Sequence, residues 1–235
     1  MLDNIAKNNV HRAMLVFFFS STDKPSICGN QSLTSFTESP SVYDIAMCGG
    51  HPDVSKVPNH VAIISNVDRN GDINIVHATS RLGVVEEDLR SYCDFVSEQN
   101  HGFDNELMFC KVKKLESGSL CDLIVSEARS RIGAGYNDIF SQDCVNSTGK
   151  ESYYCCQLVR LVYNKCLQED LFPIRKMKFG TIEDPGGISS SWRSYYRKLN
   201  IPVPVNEVGS HPADFLNAGI LEQILSFKIC CRTCI

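Results

Sequence analysis

Apolar residues at alternating and consecutive positions predict two neighbouring β-strands in the first half of the chain, at residues 59–65 and 73–78. Both runs are short and rich in β-branched residues, a composition that is typical of strands. The segment Asp68-Arg69-Asn70-Gly71-Asp72 separates them, and its Asn-Gly pair supplies the backbone freedom that a tight turn needs. The two runs are therefore predicted to pair as an antiparallel hairpin.

A helical spacing follows the cysteine at position 155. Leu158, Val159 and Val162 lie three, four and seven positions after Cys155, so all four side chains share one face of a helix. A thiol at a helix N-terminus feels the positive end of the helix dipole, which favours the nucleophilic thiolate. Cys155 is thus a candidate nucleophile, and the alternative is an ordinary core cysteine.

The predicted hairpin carries two histidines. His60 lies near the start of its first strand and His77 near the end of its second, so antiparallel pairing can place them side by side. A nucleophilic cysteine needs a base, and a third polar group that fixes the orientation of that base improves it. His60 and His77 are candidates for these two roles, although a structural role is the alternative for each.

The order of these elements resembles a known family. The runs Asn59-His60-Val61-Ala62-Ile63, Ile75-Val76-His77-Ala78 and Tyr154-Cys155-Cys156-Gln157-Leu158-Val159 resemble the permuted papain-like amidases of the YiiX/YaeF type. These amidases are relatives of the NlpC-like cell-wall peptidases and of lecithin retinol acyltransferase. Tyr43-Asp44-Ile45-Ala46 and Gly135-Tyr136-Asn137-Asp138 also resemble that branch, and the similarity spans roughly residues 43–165.

The resemblance implies an α+β, circularly permuted papain-like fold, in which an antiparallel sheet packs against the cysteine-bearing helix. It implies that Cys155 is the nucleophile, that His60 is the general base and that His77 orients His60. It also makes Tyr154 and Asp44 the candidates for substrate binding.

Four positions depart from the family pattern. The permuted enzymes commonly have Ser and Glu after the cysteine, where this chain has Cys156 and Gln157, and their usual Tyr-Asp is Tyr136-Asn137 here. Many members also have Glu at the position of His77. The second thiol raises the question of which cysteine attacks. Successive helical residues point about 100° apart, so we expect one cysteine to face the cleft, and the helix phase favours Cys155.

The rest of the chain predicts a single domain. Its 235 residues, 43% of them hydrophobic, suit one compact core. We predict one domain over residues 1–235, with a catalytic core at about 43–165 and a C-terminal wrapping segment at about 166–235. The apolar run at residues 13–19 predicts a buried strand or helix, and residues 120–132 predict a helix with Ser119 as its cap.

The C-terminal segment holds further candidate residues. Trp192, Tyr195 and Tyr196 predict a packed aromatic group, with an aromatic substrate cleft as the alternative interpretation. His211 precedes a proline that suits the first turn of a helix. We expect a structural role for His211 and keep it as a reserve candidate for the site.

Composition excludes several classes of function. The formal net charge is −4 and basic residues do not cluster with aromatic ones, which argues against a nucleic-acid partner. No apolar run approaches the roughly 18 residues of a membrane span. We expect a soluble chain and favour the cytoplasm over secretion, while the oligomeric state stays open.

The cysteine content is high but does not by itself indicate a bound group. The chain has 12 cysteines, an even number that permits either disulfides or free thiols. Cys231 and Cys234 have no second ligand pair at matching spacing, so we predict no metal site. The proposed chemistry also requires no cofactor.

These features together predict a cysteine hydrolase that cleaves an amide, peptide, isopeptide or ester bond through a thioester. The substrate classes left open are peptides, peptidoglycan-like fragments and lipid amides or esters. One alternative is a thiol acyltransferase or lipid thioesterase of the lecithin retinol acyltransferase type. A second alternative is an inactive binding domain that keeps the fold.

Overall fold

A computed structural model describes residues 10–21, 56–99, 105–115, 118–180, 184 and 186–229. Strands and helices are numbered separately along the chain. The strands are β1 Leu15–Ser21, β2 Lys56–Val67, β3 Ile73–Thr79, β4 Gly83–Asp88, β5 Asn105–Val112, β6 Gly135–Tyr136, β7 Ser152–Tyr153, β8 Arg175–Lys176, β9 Val208–Gly209 and β10 Leu221–Ile229. The helices are α1 Leu89–Gln99, α2 Ser119–Arg129, α3 Cys155–Leu167, α4 Ser190–Lys198 and α5 Pro212–Asn217.

The main sheet has six strands in the order β10-β5-β1-β2-β3-β4. Every neighbouring pair in it is antiparallel. The predicted α+β architecture is therefore confirmed. The sheet also draws strands from both flanks of residues 43–165, because β1 lies between β2 and β5 and β10 forms one edge.

The predicted hairpin is β2 and β3. Ile63 pairs with Val76 across the ladder. In the turn, one carboxylate oxygen of Asp68 accepts the backbone N–H groups of Asn70 and Asp72 at 2.8 and 2.9 Å. Gly71 has φ of 86°, which a residue without a Cβ adopts without strain. The register shifts at a β-bulge between Ile64 and Asn66, and the pairing beyond the bulge places His60 and His77 on the same face of the sheet.

Apolar side chains cover both faces of the sheet. Val61 and Ile63 of β2 belong to a larger cluster that includes the buried residues of α2 and α3. Ala62 and Ile64 belong to a smaller cluster, which α1 covers. Because strand side chains alternate between faces, β2 is buried on both sides and forms a rigid support for His60.

The structure agrees with the prediction for residues 13–19 and disagrees with the prediction for Ser119. The apolar run at residues 13–19 forms most of the buried central strand β1, as one of the two expected elements. Ser119 is not the cap of its helix, because it is the first residue of α2 and Gly118 occupies the N-cap position. Gly118 has φ of 120°, a conformation that favours glycine. Because glycine has no side chain, the start of α2 has no side-chain cap hydrogen bond.

The C-terminal segment contributes short helices and strands around the core. Helix α4 lies between β8 and β9 in the chain, α5 follows β9, and β10 then joins the edge of the main sheet. His211 is the N-cap of α5, and its Nδ1 accepts the backbone N–H of Ala213 at 3.1 Å. Within the described ranges, no helix has the length and apolar character needed to cross a bilayer.

Candidate active site

Cys155 is the first residue of helix α3. Tyr154 before it has extended backbone angles, so the helix begins abruptly at the thiol and its first backbone N–H groups have no partners within the helix. Leu158, Val159 and Val162 are fully buried in the larger core cluster. Their packing fixes the helix against the sheet and holds the half-buried Cys155 side chain near β2.

The two hairpin histidines contact each other and an acidic residue. His60 Nε2 lies 2.9 Å from His77 Nδ1, and His77 Nε2 lies 2.7 Å from a carboxylate oxygen of Glu87 on β4. The ring of Tyr92 on α1 packs edge-on against His77, with ring centres 4.5 Å apart. Phe18 packs against His60 at 5.4 Å. The chain of contacts from His60 to Glu87 is therefore enclosed by aromatic side chains.

The protons in this chain of contacts can be assigned. Burial lowers the pKa of His77 to about 4, so the ring is neutral at pH 7 and carries one N–H. The hydrogen bond from His77 holds the pKa of Glu87 below its usual range, so the carboxylate is an acceptor. His77 therefore donates from Nε2 to Glu87, and its Nδ1 accepts the Nε2–H of His60. This leaves Nδ1 of His60 available to the thiol.

Cys155 has the environment of a reactive thiolate. A hydrogen bond from Cys156 is the largest cause that lowers its pKa well below the ordinary thiol range, against the opposing effect of burial. A hydrogen bond and the charge of His60 lower this pKa further, as does the backbone N–H of Val61. By contrast, burial raises the pKa of Cys110 to about 12. Cys155 thus differs electrostatically from a buried core cysteine.

Cys156 serves as a neighbour to that thiolate. The two sulfur atoms lie 3.9 Å apart, and burial raises the pKa of Cys156 well above its ordinary value. A protonated Cys156 can donate its S–H to the sulfur of Cys155. Both cysteines adjoin the same cavity, but Cys156 is buried and Cys155 is half-buried. The expectation that only one of them faces the cleft stays a prediction.

The predicted substrate-binding residues have separate outcomes. Tyr154 lines the cavity, and its hydroxyl accepts the backbone N–H of Ser210 at 3.1 Å. This contact ties the start of α3 to the segment before α5. Asp44 lies outside the described residues. Its substrate-binding role stays a prediction, as does that of Tyr154.

Two departures from the family pattern meet in the fold. The side-chain amide of Asn137 donates to the side-chain oxygen of Gln157 at 2.8 Å, and both residues are buried. Both amides also donate to the backbone oxygen of Ser141. An Asp-Glu pair at these positions would need a shared proton, whereas two amides satisfy each other at any pH. Asn137 and Gln157 thus form a buried contact that includes a residue of the cysteine helix.

A cavity of about 100 Å³ adjoins Cys155. Phe140, Phe179 and Trp192 form an aromatic part of its wall, and His211 forms a polar part. Trp192 and Tyr196 are buried, as the packing prediction required, and Trp192 also reaches the cavity that the alternative interpretation proposed. The cavity is assembled from segments that are distant in sequence.

Sequence reasoning missed Glu87 and Tyr92. The signal for Glu87 was present, because residues 83–88 follow β3 after a short turn and include two β-branched residues before their acidic end. His77 pairs with Val85, so Glu87 lies two residues along the same face of that strand. Following the register across one more strand would have placed a carboxylate beside His77. Tyr92 reaches the site through tertiary packing alone.

Buried neutral His77 predicts sensitivity to acid. Since its folded pKa of about 4 lies below the ordinary value of about 6.5, the unfolded chain gains a proton over this range that the folded chain does not. Stability contributed by His77 is therefore lost as pH falls from 6.5 towards 4. We expect a loss of roughly 2 kcal/mol in unfolding free energy between pH 7 and pH 5.

Urea unfolding of the wild type and of His77→Gln at both pH values measures this contribution. Glutamine has no titrating group, so the variant should lose less stability over the same range. An equal loss in the two proteins would show that His77 is not the group responsible.

Comparisons with known proteins agree with this architecture. No protein-family model matches the chain, and no curated protein matches it in sequence. The crystal structure of metalloprotein YiiX (DUF1105) from Escherichia coli O157:H7 is similar, with a TM-score of 0.60 and 18% sequence identity. The match covers 92% of this chain and 97% of that chain. At this identity the likeness supports the predicted fold class and is informative about fold alone.

YiiX is described as a metalloprotein, which raises the question of a metal centre in this chain. In the part of this chain that the structure describes, no group of three or more His, Cys, Asp or Glu side chains could hold a metal ion. The described residues of this site therefore do not fit a metal centre.

Proposed function

We propose that this chain is a cysteine hydrolase that cleaves an amide or ester bond through a thioester. The observation that carries the proposal is the continuous set of contacts from Cys155 through His60 and His77 to Glu87. It supplies a nucleophile, a base and two groups that fix the orientation of the base. Cys155 also adjoins a cavity in which an acyl group can lie.

The first step forms the acyl-enzyme. Proton transfer from Cys155 to Nδ1 of His60 gives a thiolate and an imidazolium. The sulfur attacks the substrate carbonyl carbon, and backbone N–H groups at the start of α3 stabilise the resulting oxyanion. The bond from this carbon to nitrogen or oxygen then breaks as His60 returns its proton to the leaving group. The products of this step are a thioester and an amine or alcohol.

The second step releases the acyl group. His60, neutral again, takes a proton from a water molecule while the water oxygen attacks the thioester carbon. The carbon–sulfur bond breaks, the sulfur regains a proton, and a carboxylic acid leaves. Throughout both steps Glu87 and His77 stay in place, because the hydrogen bond between them holds the His77 tautomer that accepts from His60.

Intact-mass measurement of the protein mixed with activated acyl substrates tests this proposal. We expect a mass increase equal to the acyl group, located on Cys155, which decays as free carboxylic acid appears. Adding an amine and measuring amide formation separates hydrolysis from acyl transfer. Absence of any acylated species with both amide and ester substrates would overturn the proposal.

Glu87→Gln tests the outer end of the contact chain. Glutamine keeps the size of the side chain but loses the charge that selects the His77 tautomer. We expect kcat to fall roughly tenfold and the acid limb of the pH–rate profile to move, because a neutral acceptor stabilises imidazolium less. Stopped-flow acylation rates from pH 5 to pH 9 measure both effects. An unchanged profile would remove Glu87 from the site, even if the rate changed.

A further inference from the structure

Several buried polar groups around the cavity have no hydrogen-bond partner within the described part of the chain. They are Trp192 Nε1, Ser210 Oγ and His211 Nε2, and all three residues line the cavity beside Cys155. The great majority of buried polar groups in proteins have a hydrogen-bond partner, so an unpaired one calls for an explanation. Three such groups around one cavity indicate that a ligand completes them. Asp214 nearby is paired, since its carboxylate lies 2.8 Å from Nε of Arg175.

These groups can act as hydrogen-bond donors. The indole nitrogen of Trp192 is a donor only. Nδ1 of His211 accepts the backbone N–H of Ala213, so the proton of the neutral ring is on Nε2. Burial lowers the pKa of His211 to about 4, which keeps the ring neutral at pH 7. The hydroxyl of Ser210 donates or accepts. The unmet requirement is therefore for acceptor atoms on the ligand.

This requirement separates the open substrate classes. An alkyl chain from a lipid would fill the cavity without accepting a hydrogen bond, so it would leave the three groups unpaired. A peptide-like acyl group carries an amide oxygen close to its reactive carbonyl. Its flat amide and short side chains also suit contact with the aromatic wall formed by Phe140 and Phe179.

We propose that the cavity is an acyl-group subsite for a peptide-like acyl group, whose amide group completes the hydrogen bonds of Trp192, Ser210 and His211. The subsite excludes unbranched alkyl acyl groups by leaving its donors unpaired. This inference rests on the proposed function only in assigning the acyl group to a thioester on Cys155. The binding preference itself requires no catalysis.

Binding is measured first, in the Cys155→Ser variant. The chain has one tryptophan, so its fluorescence reports directly on Trp192 and the cavity. The probes are N-acetylglycinamide and hexanamide, which share a terminal amide and differ in whether an amide or methylene groups follow it. We expect a saturable shift of the emission with N-acetylglycinamide and none at equal concentrations of hexanamide. A stronger response to hexanamide, or no response to either, would overturn the subsite.

Acylation is measured second, with methyl thioglycolate thioesters of N-acetylglycine and hexanoic acid. Each rate is divided by the rate of the same thioester with 2-mercaptoethanol, which removes the intrinsic difference in reactivity. Trp192→Phe deletes an N–H and keeps an aromatic ring, and His211→Ser deletes the imidazole and keeps a strong N-cap residue. We expect each variant to acylate roughly fivefold to tenfold more slowly with N-acetylglycine and within about twofold of wild type with hexanoate.

Ser152→Ala is the matched control. Its hydroxyl is also buried without a hydrogen-bond partner among the described residues, but Ser152 does not line the cavity. We expect this variant to leave the preference between the two thioesters unchanged. Equal slowing of both thioesters by Trp192→Phe would contradict the subsite while the hydrolase proposal stands. Selective binding without acylation of Cys155 would keep the subsite and overturn the hydrolase.

Discussion

Replacing Cys155 by serine is expected to lower turnover by at least roughly a thousandfold and to abolish acylation. Cys156→Ser is the matched control and should keep most of both, although its side chain also lines the cavity. The reason is electrostatic, because the pKa of Cys155 is lowered and that of Cys156 is raised. A serine hydroxyl at position 156 also retains a donor toward the sulfur of Cys155. Steady-state turnover and intact mass are measured in parallel.

The opposite pattern would contradict this assignment. If Cys156→Ser were inactive and Cys155→Ser retained activity, the attacking sulfur would belong to Cys156. The contact with His60 would then have a structural role, and the site would have to be described from the buried side of the helix.

His60→Ala is expected to slow acylation by roughly a hundredfold or more while the fold stays intact. The variant loses both the group that accepts the proton of Cys155 and the group that returns it to the leaving group. Single-turnover acylation rates, with circular dichroism as a check of folding, measure the effect. His11→Ala is the matched control, since the His11 ring bonds to the backbone oxygen of Arg12. A near-native rate in folded His60→Ala would refute the role of His60.

The hairpin and the cysteine helix could be predicted because their signals are local. The Asn-Gly turn and the β-branched runs specify β2 and β3 within about twenty residues of sequence. The apolar spacing after Cys155 specifies the buried face of α3 in the same way. The hairpin could therefore be anticipated, whereas the register at His60 and His77 also depends on a β-bulge between Ile64 and Asn66.

The remaining features depend on tertiary contacts between distant segments. The cavity joins Phe140, Phe179, Trp192 and His211, which no periodicity relates to Cys155. The sequence offered His211 only as a reserve candidate. Its role in the site is supported by an unpaired ring nitrogen in the wall of that cavity, which is a tertiary feature. Ser119 failed as a cap because Gly118 adopts a conformation that other residues rarely adopt.

The contact between Asn137 and Gln157 could not be predicted from the sequence for a different reason. Each residue is a departure from the family pattern when it is considered alone, and nothing in the sequence indicates that they compensate each other. Their 2.8 Å hydrogen bond joins the two departures in one buried contact, which only the tertiary structure reveals.

The most direct test of the central claim is the rate of alkylation of Cys155 by iodoacetamide between pH 4.5 and pH 9.5, with the label located by mass mapping. A thiolate stabilised by Cys156 and His60 predicts that alkylation of Cys155 is already fast at pH 6, well below the ordinary thiol pKa of about 8.5. It also predicts that His60→Ala moves this titration to higher pH. Labelling that rises only above pH 8, or that maps to Cys156, would contradict the claim that Cys155 is the activated nucleophile.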